Sequence, residues 1–326
     1  MKRLLVFLFG MAFVVTASAI NANTVEIVYN GNTAIVNVAL NISSYVTVES
    51  GTSSHVRIVQ DSLFAGVDKS LDNEDGEIIY LLSGSSSDGE FYLEGSYKAS
   101  VQLKGLTLTN PSGPAINIQD GKRINLSVKK NTTATLADGV NEDYNGCVHC
   151  KGHLKLQGSG TLNVSSVSRH AIYSKEYLEL KNLTLNITAA KKDGIHCKEY
   201  MLMSSGTVTI NGVEDDGIQV ELANAAVTGI TTGHEDENTA NFYMTGGKLT
   251  IGSCPGNTIK TDGVIKATGG TRNFDASTTQ EYAGIDGVEL LSRQPSTALY
   301  DLLGRKATSR SKGILLRKSG GKILVR

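Results

Sequence analysis

The chain has 326 residues, of which 40% are apolar, 19% charged and only 6% aromatic, with 35 glycines, four prolines and no tryptophan. Its formal net charge of −1 is unevenly placed: the stretch from Ser292 to the end carries about +8 and the first three residues +2, which leaves about −11 between them. A basic tail on an otherwise acidic, exported chain argues against nucleic-acid binding, and slim, glycine-rich composition suits many corners and short strands rather than packed helices.

The first 22 residues read as a secretory signal. Lys2 and Arg3 precede an apolar run from Leu4 to Val15, and Ala17-Ser18-Ala19 offers a cleavage site. The run is too short and wrongly flanked for a stable membrane span. Val25 to Val28 and Ala34 to Val38 alternate as an opening β-hairpin or cap. Phe91-Tyr-Leu93, Val101-Gln-Leu103 and Leu106-Thr-Leu108 make one coil, and Ala115 to Ile118, Ile124 to Leu126 and Thr133 to Leu136 make the next. An insertion follows from Ala137 to Asn145.

From Gly146 a unit of about 23 residues repeats. Val148, Ile172, Ile195 and Ile218 fall at intervals of 24, 23 and 23, and a fixed period of this size signals a stacked array. Within each unit the apolar residues alternate in short pieces, such as Leu154/Leu156 and Leu162/Val164, which is strand periodicity. Three short strands per turn, with Gly, Asn and Asp at the corners, describe an all-β, parallel β-helix over residues 23–288. A second insertion spans Thr231 to Asn241, and Phe242-Tyr-Met244, Gly247 to Ile251 and Thr258 to Lys260 resume the pattern. The basic tail, 289–326, contains Leu299-Tyr-Asp-Leu-Leu-Gly-Arg-Lys306 and Gly321-Lys-Ile-Leu-Val-Arg326. It resembles the C-terminal sorting domain of type IX secretion cargo, which implies the type IX export machinery as a partner and the outer surface of a Gram-negative cell, or its surroundings, as the destination. The same residues could be a small β element that only caps the solenoid.

Ala171 to Leu178, Gly160 to Val164, and Asp193-Gly-Ile195 with Asp216-Gly-Ile218 resemble a bacterial family of secreted carbohydrate-binding β-helices, related in shape to pectate lyases. The resemblance spans residues 75–270. It implies a right-handed parallel β-helix with bound calcium and affinity for acidic polysaccharide such as polygalacturonate.

The repeat places candidate binding residues in columns. With Val148, Ile172, Ile195 and Ile218 inward, His149, Tyr173, His196 and Gln219 point out, on strands about 4.8 Å apart. Lys151, Lys175, Lys198 and Glu221 form a second outward register, and His153, Tyr177 and Tyr200 a third. Aromatic and imidazole faces stack on sugar rings, and lysines pair with uronate carboxylates as mobile point charges. Asp193, Glu214, Asp215 and Asp216 sit where coils turn and could supply the hard oxygens calcium prefers, or could simply satisfy corner backbone groups. Cys150 and Cys197 read as small core residues two rungs apart, too far to bridge; Cys147 and Cys254 have no assigned role. The reading is a monomeric, non-catalytic binder of acidic polysaccharide with calcium assistance. The alternatives are a polysaccharide lyase or hydrolase on the same fold, and a surface adhesin or structural solenoid.

Overall fold

The computed structural model describes residues 20–50, 53–61, 77–223 and 237–284, and the backbone at 299–300, 313–317 and 322–325. The signal up to Ala19 and most of the insertion at 231–241 lie outside these residues. What is described is a parallel β-helix with three faces. The first face is a sheet running from Val46–Ser50 and His55–Gln60, through Glu90–Glu94, Ile116–Ile118, Gly146–Cys150, His170–Ser174, Ile195–Lys198, Ile218–Glu221 and Asn257–Thr261, to Thr279–Ala283. The second face stacks Ile124–Val128, Leu154–Gly158, Leu178–Lys181, Tyr200–Met203, Asn241–Met244 and Ile265–Ala267. The third stacks Thr133–Asp138, Thr161–Ser165, Thr184–Ala189, Thr207–Ile210, Lys248–Ile251 and Thr271–Phe274.

The last two faces belong to one sheet because Ala99–Asn110 runs through the corner without a break. The sequence divides that stretch into two pieces, Val101–Leu103 and Leu106–Leu108. The chain joins them by a bulge where Gly105, in the left-handed region at φ 65°, turns the strand while keeping its pairing with Ile78–Ser86. Opposite the bulge Gly84 also has positive φ, and a Cβ there would collide with the Tyr29 carbonyl of the preceding rung. The expected hairpin forms between Thr24–Asn30 and Thr33–Val38, and its first strand also pairs in parallel with Ile78–Ser86, so the cap is itself the first rung. The first insertion starts two residues later than expected, after Asp138, which is still in its strand. In the tail, Leu299–Tyr300, Gly313–Arg317 and Lys322–Val325 form an antiparallel three-stranded sheet.

Period-two alternation and the 23-residue repeat together make the core. Val148, Ile172, Ile195, Ile218 and Ile259 are in register on the first face and fully buried, continuing Phe91 and Ile116 from earlier rungs. No single rung can bury its own inner face, so each depends on its two neighbours. Cys150, Ser174, Cys197 and Val220 form the second inward column, as their spacing requires. The buried Ser174 hydroxyl donates to the Gly152 carbonyl at 2.9 Å, which offsets its desolvation. Burial pushes the Cys150 thiol up to about 12, so this pair behaves as small core residues. Cys147 and Cys254 are buried and unbridged as well.

Candidate functional site

The corner that leads into the first face is fastened by a vertical series of side-chain bonds. Gly146, His170, Asp193 and Asp216 occupy equivalent corner positions, one residue before the repeated Cys/Ala/Gly and two before the inward Val/Ile. His170 Nδ1 accepts from the Asp193 amide (3.3 Å), Asp193 Oδ1 from the Asp216 amide (3.1 Å), and Asp216 Oδ1 from the Asn257 amide (2.6 Å). Each side chain therefore satisfies a backbone donor one rung further along. Asp193 and Asp216 are each 1% exposed.

Around this corner the first outer register closes on itself. His149 stacks on Tyr173 with ring centroids 5.3 Å apart, and Tyr173 lies 5.6 Å from His196. His170 packs against His196 at 4.4 Å, and Tyr144 meets the edge of His149. The register expected from the sequence is present, yet His149, Tyr173 and His196 are all buried. Outward direction does not mean open faces when successive rungs each contribute a ring. These three rings form a floor.

His149 is part of that floor as a neutral imidazole. Burial first, and then the charge of Lys151, push its pKa down to about 4, and its Nδ1 accepts a hydrogen bond from the Asn145 amide at 3.2 Å that protonation would break. Between pH 6.5 and 4 the unfolded chain takes up a proton that the folded one refuses, so stability is full above 6.5 and falls as pH drops towards 4. His149→Phe keeps a ring in the stack and removes that proton. Its urea-denaturation free energy should drop about 2 kcal/mol less than wild type between pH 7.5 and 4.5; an equal acid loss in the two proteins would refute a buried neutral His149.

The Asp193 carboxylate lies against both neighbouring imidazoles. Its Oδ2 accepts from His196 Nδ1 at 2.9 Å and lies 3.2 Å from His170 Nδ1. Burial alone would raise this carboxyl; bonding and charge from the two histidines outweigh it and hold it well below the usual range. His196 is correspondingly raised: burial opposes its charge, but Asp193 and Glu221, whose Oε2 lies 3.4 Å from Nε2, prevail. Its bond to His196 is the main reason Glu221 is pushed down to about 2. His170, with burial dominant, is lowered.

Above the floor is a cleft of about 300 Å³ lined by Asn145, Arg169, Tyr173, Lys192, Lys198 and Gln219, with Asp193, His196, Asp215 and Glu221 at its base and edge. Three cations converge here. Lys198 sits 3.5 Å from Glu221, Lys192 is exposed, and Arg169 keeps its Nε buried without a hydrogen-bond partner. Lys151 and Lys175 continue the row along the face, exposed on the preceding rungs.

The acidic residues proposed from the sequence as calcium ligands are only partly brought together. Asp193, Asp215 and Asp216 each place an oxygen within 4.8 Å of the others. Glu214 instead turns outward and pairs with Lys191. The Asp193 oxygens already accept from His196 and from an amide. Asp216 accepts twice from Asn257 on Oδ1, and its Oδ2 lies 3.2 Å from the Lys260 ammonium. A calcium shell needs six to eight oxygens, roughly; two of these three carboxylates are committed and a lysine already supplies the positive charge. The donor set as folded does not fit calcium at Asp193 and Asp216, which leaves the exposed Asp215.

The third register sits around the next corner in a different groove. His153 stacks on Tyr177 with centroids 4.0 Å apart, and Tyr177 on Tyr200 at 4.8 Å. This groove, of about 660 Å³, is lined by Tyr97, Lys98, Lys122, Arg123, His153, Glu176, Tyr177 and Glu199. The eight carbohydrate-contact residues expected from the sequence are therefore divided between two sites, His149, Tyr173, His196, Lys151, Lys175 and Lys198 on one and Tyr177 and Tyr200 on the other. Sequence reasoning missed Arg169, His170 and Lys192 at the first, although His170 occupies the same repeat position as Asp193 and Asp216.

A parallel β-helix with a cationic cleft over an aromatic floor belongs to the class of solenoids that offer side-chain columns to an extended ligand. More particularly, the chain belongs to the family of carbohydrate-binding domain-containing proteins, whose family model matches residues 71–315. In structure it is similar to the polysaccharide lyase-like protein from C. thermocellum, solved as a gadolinium derivative, with 16% identity and a TM-score of 0.56 over 79% of this chain and 96% of that one. That likeness is one of fold. A search of curated proteins finds no match.

Proposed function

We propose that the first outer face binds an acidic, polygalacturonate-like polysaccharide and does not cleave it. The observation that carries this reading is the convergence of Arg169, Lys192 and Lys198 over the Tyr173–His196 floor, with a buried guanidinium Nε–H that finds no acceptor among the described residues. A uronate carboxylate supplies the acceptor that Arg169 lacks, and charge-assisted pairs of this kind are about twice as strong as neutral ones. Lys175 and Lys151 lie on successive rungs, so a chain of carboxylates can follow the face at roughly the strand spacing. These cations overcome locally the negative charge of the body.

The same residues support binding without cleavage. β-Elimination needs a base that can give up its proton. Lys260, the amine seated beside the corner carboxylates, is held the other way: burial would lower it, but its bond to Asp216 outweighs burial and keeps it charged. His196 and Asp193 are fixed in the corner bonds. Residues 1–22 and 289–326 complete the reading as export signals that carry the protein to, or beyond, the surface of a Gram-negative cell.

The test is retention of the mature protein on immobilised polygalacturonate and on neutral glycans, with calcium and with chelator, together with ultraviolet absorbance of the incubated polymer. Retention on the acidic polymer that survives chelator, with no unsaturated product, is the expected result. Retention lost to chelator would instead favour a calcium ion bridging Asp215 to the glycan. No retention on any glycan would leave a protein-binding or structural solenoid, and a rise in absorbance would make it a lyase.

A further inference from the structure

We propose that the groove on the neighbouring side holds a divalent transition-metal ion, bound by His153, Glu176, Glu199 and Glu237. His153 Nε2 lies 3.0 Å from Glu176 Oε2 and 3.4 Å from Glu199 Oε2. His153, Glu199 and Glu237 each place one donor atom within 4.8 Å of the others. Stacking on Tyr177 fixes the plane of the imidazole and aims Nε2 at the carboxylates. Both His153 and Glu199 are only 9% exposed.

Glu199 Oε2 is buried and accepts no hydrogen bond. An ionised oxygen taken out of water in that condition is costly unless a cation meets it. Three carboxylates converge on this one imidazole. The nearest guanidinium of the groove, Arg123, is already held by Glu77. The 3.4 Å between His153 Nε2 and Glu199 Oε2 matches the edge of a tetrahedron whose metal–ligand bonds are about 2.0–2.2 Å, and the 3.0 Å to Glu176 is a few tenths shorter. One imidazole nitrogen with carboxylate oxygens suits zinc or manganese, whereas calcium takes an all-oxygen shell. The corner that presents Glu199 is unusual too: its φ is 62°, a left-handed conformation that glycine or asparagine adopts more readily. The aromatic and basic wall of the groove (Tyr97, Lys98, Lys122) stands over this cluster, so a ligand entering the groove meets the ion.

The site lies on a different corner from the cationic cleft, and either can fail without the other. Full-length protein titrated calorimetrically with zinc chloride, and separately with manganese chloride, should bind one equivalent of at least one of them and melt at a higher temperature when loaded. Glu199→Gln keeps the shape and should weaken binding by about tenfold or more, since losing even an outer-shell partner costs that much. Glu199→Gly suits the left-handed backbone, so its metal-free melting temperature should be no lower than wild type while the metal-linked rise disappears. Absence of saturable binding of either ion would overturn the proposal, as would variants that bind like wild type. Binding of calcium in preference to both would overturn the assignment to a transition metal.

Discussion

Asp193→Ala should cost about 3–5 kcal/mol of folding stability, the range expected when one member of a buried, hydrogen-bonded charge network is removed. The substitution leaves the buried Asp216 amide without its acceptor and His196 Nδ1 facing an apolar gap. It also removes the negative charge that keeps His196 protonated inside the fold. Asp193→Asn retains an oxygen for the Asp216 amide and should lose less. The pH dependence gives a second signature. His196 has a folded pKa above its unfolded one, so its contribution is full below the unfolded value and is lost as pH rises through the folded one. The lowered carboxyls Asp193 and Glu221 act oppositely: their contribution is present above the unfolded carboxylate range and is lost as pH falls through the folded values, about 2 for Glu221. Urea denaturation of Asp193→Ala should therefore show weaker stability overall and less alkaline loss than wild type. Amide exchange offers a local check, with protection falling at Asp216 while the rungs before Gly146 keep theirs. A loss below about 1 kcal/mol would mean that the corner bonds contribute little.

Removing the cations of the cleft should weaken binding to acidic polysaccharide while leaving the fold intact. Arg169→Ala alone should reduce affinity for polygalacturonate by about tenfold or more, the equivalent of one charge-assisted pair. Combining it with Lys192→Ala and Lys198→Ala should abolish retention at moderate salt. The slope of affinity against ionic strength should flatten with each charge lost. Arg169→Lys is not a neutral control, because a single ammonium cannot present the two parallel donors of a guanidinium. Lys191→Ala is: that lysine pairs with Glu214 outside the cleft, so its removal should leave retention unchanged. Undiminished retention by the triple variant would move the glycan site away from this face.

The inward columns were readable because burial imposes a strict rule: Val148, Ile172, Ile195 and Ile218 must recur at the rung period, and they do. The same periodicity placed Cys150 and Cys197 in the core and His149, Tyr173 and His196 in one outward column. It could not say that those rings would cover one another, since exposure depends on what the adjoining loop, with Tyr144 and Asn145, lays over them. Corner residues obey hydrogen-bond needs and not apolar alternation, so Arg169 carried no pattern, and His170 showed only the repeat position it shares with Asp193 and Asp216. The commitment of Asp193 and Asp216 to backbone amides was one of two open readings of those acids. Lys260 and Glu237 were hidden differently: the long connection after Glu221 breaks the count that would align Lys260 with Gln219, and Glu237 lies within that connection.

That connection has a consequence for how such proteins diversify. At the corner between the first and second faces, three residues link Cys150 to Leu154 and Ser174 to Leu178, and one links Lys198 to Tyr200, but nineteen, Leu222 to Ala240, link Glu221 to Asn241. The strands on either side resume their stacking as though nothing had been added. Length at this corner is thus uncoupled from the core, whereas the opposite corner is stitched rung to rung and tolerates less. A lineage, or an engineer, can exchange one connection and leave the scaffold's stacking untouched.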